Sequence, residues 1–86
     1  MKRFRKRSDI LERDEHGVMV LYDPATGIPY SLEGSAREIW KLLERGMTVE
    51  EVLEKLEERF EKDPSMRRDI EEFLADCVKE GLADVF

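Results

Sequence analysis

Few side chains in this chain of 86 residues have the types and spacing that chemistry requires. His16 and Cys77 are its only histidine and cysteine, and they lie 61 residues apart. A metal site needs several such ligands at set spacing, and an activated nucleophile needs a base within hydrogen-bond reach. The sequence shows neither arrangement, so we expect no catalytic residue, no metal site and no cofactor.

The two unusual side chains also have structural interpretations. His16 precedes Gly17 in a turn signal, which favours a solvated turn residue, with general-base chemistry as the alternative. Cys77 lies on the apolar stripe of a predicted helix, where a small buried hydrophobe is the better interpretation than a reactive thiol. Gly27 and Gly34 flank a predicted strand and match neither a phosphate loop nor a dinucleotide fingerprint.

Length and composition favour a single binding domain. Charged residues make up 42% of the chain and hydrophobic residues 41%, which is typical of a soluble globular protein. Eighty-six residues can bury one modest core but leave little room for an enclosed active site. We expect a flexible basic N-terminus over residues 1–8 and one domain over residues 9–86.

The basic side chains are unevenly distributed. The first seven residues hold five of the fifteen Lys and Arg and no acid, so residues 8–86 carry ten bases against 21 acids, a net charge of −11. Such a body repels polyanions, and we expect no nucleic-acid partner and no membrane partner. The lone cysteine and the lack of an apolar segment after the basic start favour the cytoplasm.

Three short strands are predicted first. Residues 8–15 are weakly strand-like, whereas residues 18–22 and 28–32 are β-branched and aliphatic runs. Pro24 suits the second position of a type I turn, and Gly27 permits a left-handed residue at its end. Residues 18–22 and 28–32 should therefore pair antiparallel.

Three helices should follow the strands. Apolar side chains repeat with helical spacing after Gly34, and Ser35 with Glu38 has the pattern of a capping box. Gly46 ends this helix. Each predicted helix has its own set of apolar residues at helical spacing. In chain order the sets are Ala36, Ile39, Trp40 and Leu43; Val49, Val52, Leu53, Leu56 and Phe60; and Met66, Ile70, Phe73, Leu74, Cys77 and Val78.

The second and third helices have clear boundaries. Thr48 and Glu51 form a second capping box, and this helix should run to about Glu61. The third helix should begin at residues 63–64 and end at Gly81, which is followed by apolar Leu82 as in a left-handed C-cap. Strands followed by helices indicate a compact α+β fold.

The edge strand over residues 28–32 is the best candidate for a binding surface. Proline lacks the N–H that a ladder needs, so Pro29 and Ser31 should point their backbone groups outward. A guest peptide could pair with this edge, although Pro29 could instead only block aggregation. The candidate peptide-binding residues are Ile28, Pro29, Tyr30, Ser31 and Leu32 on the strand, Ile70, Leu74, Cys77 and Val78 as the groove floor, and Arg67, Arg68 and Glu71 at the rim.

Three segments together resemble one known family. They are LYDPATGIPYSLEGSAREIWKLL, TVEEVLEKLEERF and DIEEFLADCVKEGL, which begin at Leu21, Thr48 and Asp69. They are similar to the PqqD-like family, named for pyrroloquinoline quinone biosynthesis. This family is also called the RiPP recognition element, where RiPP denotes a ribosomally synthesised and post-translationally modified peptide.

The resemblance implies a winged-helix-like domain of three strands and three helices. It implies that a precursor's leader peptide binds as an added strand beside the third helix, and that the partner is a radical-SAM enzyme or, in lasso-peptide pathways, a leader peptidase. The family's binding residues correspond to the strand 28–32 and to Arg67, Ile70, Glu71, Leu74 and Val78. The family often has Asn at the position of Glu33, and an aromatic or basic residue near Pro29, so peptide sequence and register stay open.

We therefore expect a non-catalytic adaptor that captures a leader peptide and delivers its precursor to a maturation enzyme. The alternative is a winged-helix transcription regulator, which the acidic third helix disfavours because a recognition helix is normally basic. The acids of that helix are Asp69, Glu71, Glu72, Asp76 and Glu80. A homodimer formed through an unused edge strand stays open as well.

Overall fold

The computed structural model describes all 86 residues, in five strands and three helices. In chain order these are β1 (Phe4–Lys6), β2 (Leu11–Glu15), β3 (Val18–Asp23), β4 (Ile28–Leu32), α1 (Gly34–Leu42), α2 (Val49–Glu57), α3 (Met66–Lys79) and β5 (Ala83–Val85). The predicted α+β class is confirmed, since β2, β3 and β4 form an antiparallel sheet that precedes three helices. None of these helices combines the length and apolar character needed to cross a membrane.

The turn between β3 and β4 follows from its residues. The backbone oxygen of Asp23 accepts hydrogen bonds from the N–H groups of Thr26, at 3.3 Å, and Gly27, at 2.8 Å. Gly27 has a φ of +74°, which glycine adopts without steric cost. This turn sets the register in which Tyr22 lies opposite Pro29.

The core lies between the inner face of the sheet and the three helices. Its largest fully buried side chains are Trp40, Leu21, Leu43, Leu56, Ile70, Leu74 and Val52. The Trp40 indole N–H donates to the Glu12 carboxylate, and Lys6 Nζ contacts both the same carboxylate and the indole ring. A buried indole needs a partner for its N–H, so this cluster joins β1, β2 and α1.

The N-terminal segment is ordered where flexibility was expected. Phe4–Lys6 pairs antiparallel with Ala83–Val85, at the other end of the chain, and forms a second small sheet. Arg3 forms an ion pair with Glu51 at 2.9 Å. Ala83–Val85 and Glu51 are both distant from the N-terminus in sequence. The local composition of residues 1–8 therefore predicts a flexible tail and gives no sign of these partners.

The first helix does not use its predicted capping box. Gly34 turns the chain with a φ of +58°, and α1 begins there with Glu33 as N-cap and no side-chain cap. Glu38 instead forms ion pairs with Arg37, at 2.7 Å, and Arg59, at 2.6 Å. A nearly buried carboxylate is stabilised better by two guanidinium groups than by one backbone N–H, so ion pairing replaces the cap.

The other helix boundaries are partly confirmed. The Thr48–Glu51 capping box is present, with both reciprocal hydrogen bonds. However, α2 ends at Glu57, before the predicted Glu61, and α3 begins at Met66 because Asp63 Oδ1 accepts from the Ser65 N–H at 2.8 Å in a preceding turn.

The predicted C-cap of α3 is present. Gly81 has a φ of +76°, and its N–H donates to the Val78 oxygen at 3.1 Å. The N–H of Leu82 donates to the Cys77 oxygen at 2.8 Å, which completes a Schellman motif.

The paired N-terminal strand predicts a measurable stability effect. Phe4 is half-buried against the core, and its N–H donates to the Met47 oxygen at 2.8 Å. Phe4→Ala should lower the free energy of unfolding by about 1.5–2.5 kcal/mol, half the cost at a fully buried position. Urea unfolding followed by Trp40 fluorescence measures this change.

The matched control is Lys2→Ala, an exposed neighbour that should stay within about 0.5 kcal/mol of the parent. Equal stability of Phe4→Ala and the parent chain would contradict a structural role for β1.

Candidate functional site

One side of β4 carries no partner strand. The opposite side pairs with β3 in a register that places Leu21 opposite Tyr30 and Met19 opposite Leu32. Since ladder hydrogen bonds alternate along an antiparallel pair, Pro29 must occupy a position that donates none to β3. Ser31 is two residues from Pro29 and shares its place in this alternation, so the backbone groups of both residues point away from β3.

The side chains of β4 alternate between two environments. Pro29 and Ser31 are exposed on the open face of the sheet, whereas Tyr30 and Leu32 are half-buried toward the helices. Ile28 lies on the same side but at the strand's start, where it is 48% exposed. A strand added to β4 would thus place alternate side chains toward the helical layer.

The third helix lies beside this free edge. The Tyr30 hydroxyl donates to Glu80 Oε2 at 3.2 Å, which brings the carboxyl end of α3 near the middle of β4. Partial burial and this carboxylate raise the pKa of the Tyr30 phenol. The neutral hydroxyl therefore persists as a donor at physiological pH.

A cavity of about 430 Å³ opens among the helices, beside the start of α1, which follows β4 after one residue. Its residues come from the start of α1, the end of α2 with the loop after it, and the first half of α3. They are Ser35, Ala36, Ile39, Leu56, Phe60, Glu61, Asp63, Met66, Asp69, Ile70 and Phe73. Most are apolar, so the cavity suits a large apolar side chain.

Three of the residues expected to form a groove floor belong to the core. Ile70 and Leu74 are fully buried and Cys77 is 2% exposed, with their side chains packed in the main cluster. Only Ile70 also reaches the cavity. In this structure Leu74 and Cys77 support the helix from below and present no open surface to a guest.

The predicted rim lies on the far flank of α3. Arg67 forms a bidentate pair with Glu50 of α2, with Nη2 to Oε2 at 2.8 Å. Glu71 borders a separate cavity next to Phe4. Residues advance about 100° around a helix, so Val78 shares this flank, about 140° from the side that faces the cavity and Tyr30.

The sequence pattern does not identify the flank of α3 that faces β4. This flank carries Met66, Asp69 and Phe73 at the cavity and Glu80 beside Tyr30. The sequence pattern places Phe73 in the apolar stripe with Ile70 and Leu74. Its offset from Ile70 and Leu74 is the one sequence signal that this side chain lies at the border of the buried surface.

His16 and Cys77 occupy the environments that the sequence predicted. His16 has a φ of +53° in the turn between β2 and β3, and its side chain is exposed. Cys77 is a free buried cysteine, and burial raises the pKa of its thiol to about 12. No group of three or more potential metal ligands is clustered in the fold.

The raised pKa predicts that the folded protein resists alkylation. At pH 8 a thiol with a pKa of about 12 is ionised in roughly one molecule in ten thousand, against roughly one in four for an ordinary thiol. Iodoacetamide should therefore modify Cys77 about a thousandfold more slowly in the folded chain than in urea, as measured by mass spectrometry. Comparable rates in both states would show that the thiol is accessible.

The chain is similar to one protein family and to two solved structures. A family model described as "Coenzyme PQQ synthesis protein D (PqqD)" matches residues 19–83. The solved structure "TbiB1 in Complex with the TbiA(beta) Leader Peptide" has a TM-score of 0.84 and 25% identity, over 93% of this chain and 94% of that chain. "Lasso peptide synthetase B1 complexed with the leader peptide" has a TM-score of 0.81 and 27% identity, over 94% and 96%. No curated protein sequence matches.

Proposed function

Since the chain belongs to the PqqD family, we propose that it is a non-catalytic adaptor that binds the leader peptide of a ribosomally synthesised precursor. The observation that carries this proposal is the unpaired edge of β4 beside an apolar cavity. The same fold, over nearly the whole chain, occurs in two proteins whose structures contain leader peptides. Ribosomal precursors are made in the cytoplasm, so the adaptor acts there.

The leader would bind by β-strand addition to β4. The Pro29 oxygen and the N–H and oxygen of Ser31 are the backbone groups that this edge offers. Each hydrogen bond contributes about 0.5–1.5 kcal/mol, whereas a micromolar complex needs about 8 kcal/mol. Backbone pairing alone is therefore too weak.

Apolar contacts would supply the remaining free energy. A buried Leu-sized or Phe-sized side chain contributes about 1.5–3 kcal/mol. The cavity beside Ala36, Met66 and Phe73 can receive one such side chain from the guest strand. The proposed contact surface is thus Ile28–Leu32 with this flank of α3, while Ile70, Leu74 and Cys77 hold the helix in place.

Delivery to a maturation enzyme is the second half of the proposal. An adaptor without catalytic groups of its own must bring the captured precursor to an enzyme that modifies or cleaves it. A leader peptidase and a radical-SAM enzyme are the two candidate partners. Co-purification with the enzyme encoded beside the precursor distinguishes them.

Strand addition predicts a specific effect of proline at residue 31. Ser31→Pro removes the one N–H that points outward from the middle of β4, and leaves the ladder to β3 intact. The dissociation constant for the precursor's leader peptide should rise about tenfold or more, because a hydrogen bond is lost and the ring obstructs the guest. Fluorescence anisotropy with a labelled leader peptide measures this change.

Ser31→Ala is the matched control, because it changes the side chain and keeps the N–H, and it should bind within about threefold of the parent. Equal affinities of Ser31→Pro and Ser31→Ala would rule out pairing at this position. Absence of saturable binding by the parent chain would defeat the proposed function itself.

A further inference from the structure

The flank of α3 that faces β4 is acidic and has no basic partner. Asp69, Asp76 and Glu80 repeat along this flank at helical spacing, and all three are exposed. None of them takes part in the ion pairs of the structure. Their hydrogen bonds are limited to Ser65 with Asp69 and Tyr30 with Glu80.

Acids on the opposite side of the molecule do form ion pairs. There Glu50 pairs with Arg67, Glu51 with Arg3 and Glu44 with Lys6. The N-terminal strand thus supplies cations to one side of the molecule, and nothing comparable reaches the β4 side. The acids beside the free edge therefore keep unpaired negative charge, as Glu54 and Glu57 of α2 also do.

An apolar site lies at one end of the same flank. The cavity beside Phe73 has acidic side chains at its border, namely Glu61, Asp63 and Asp69. An occupant must therefore present an apolar group flanked by positive charge. Exposed acids that face a guest carrying the same sign of charge would repel it.

The spacing of the acids matches that of an extended peptide. Asp76 and Glu80 are four residues apart, which is about 6 Å along the axis of a helix. Side chains on one face of a strand repeat every two residues, which is about 6.6–6.8 Å. Successive inward side chains of a strand added to β4 would therefore meet successive acids.

Resting on the proposed function, we infer that the guest is a basic amphipathic strand. One large apolar side chain fills the cavity beside Phe73, and Lys or Arg occupies the second and fourth positions from it, on the same face. Those two side chains pair with Asp76 and Glu80. The acids are unpaired in the free protein, so pairing with the guest breaks no existing ion pair.

Three synthetic peptides test this specificity on the full chain. The first has a Leu anchor with Lys at the second and fourth following positions, and the second has the same composition with Lys at the first and third. The third has Glu at the second and fourth positions. Each is also made with its sequence reversed, because an added strand can run in either direction.

The first peptide, in one of its two directions, should bind about tenfold more tightly than the Glu peptide and about threefold more tightly than the peptide with shifted Lys. Its dissociation constant should rise with added salt, because exposed ion pairs are screened. Backbone amide shifts of Ser31 and Glu33 in NMR spectra report whether each peptide occupies the β4 edge.

A pair of double variants separates local from overall charge. Asp76→Asn/Glu80→Gln should weaken the first peptide about fivefold and reduce its salt dependence, while the amide oxygen of Gln can still accept from the Tyr30 hydroxyl. Glu54→Gln/Glu57→Gln removes the same charge from α2, where neither acid has an ion pair, and should change affinity less than twofold.

Equal binding of all three peptides at the β4 edge would overturn the inference and leave the proposed function standing. Equal effects of the two double variants would also overturn it, since they would show a response to net charge alone. Absence of saturable binding by every peptide, including the precursor's own leader, would overturn both.

Discussion

The packing of one stripe of α3 into the core is the constraint on which the rest of the molecule depends. Ile70, Leu74 and Cys77 are almost fully buried, and a domain this small has few other large apolar side chains to replace them. Because this stripe faces inward, it cannot also receive a ligand. The helix is left with two flanks, and the fold gives each flank a different neighbour.

The free edge of β4 must meet two opposing requirements. An exposed strand edge can pair with any extended chain, including a second copy of the protein, and such pairing leads to aggregation. Pro29 lowers this risk by removing one donor, and the acidic flank of α3 adds repulsion between copies of a chain with a net charge of −6. The same two features restrict the guests that this edge accepts, so protection and specificity have one physical origin.

Sequence reasoning succeeded where the signal was local. The bounds of β4, the Thr48–Glu51 capping box and the Gly81 cap each depend on residues within one turn of the chain. It failed where distant residues decided the outcome. The strand Phe4–Lys6 pairs with Ala83–Val85, at the other end of the chain. Glu38 forms an ion pair with Arg59 and takes no part in the expected capping box. Nothing near those positions in sequence reveals either partner.

For the same reason the sequence predicts the strand of the candidate site but not the helix flank beside it. Pro29 and the alternation of β4 identify the edge from the sequence, but the flank of α3 that faces this edge depends on how the helix is rotated. Adjacent residues on a helix are about 100° apart, so the six apolar residues of α3 cover a broad stripe with two borders. The sequence does not indicate which of these borders lies near the sheet. Burial of Ile70, Leu74 and Cys77 determines that rotation in the fold, and the hydrogen bond from Tyr30 to Glu80, residues 50 positions apart, shows which flank then lies beside β4. Once the rotation is known, the charges separate as well: cations from the N-terminal strand meet acids away from β4, and the acids beside β4 stay unpaired.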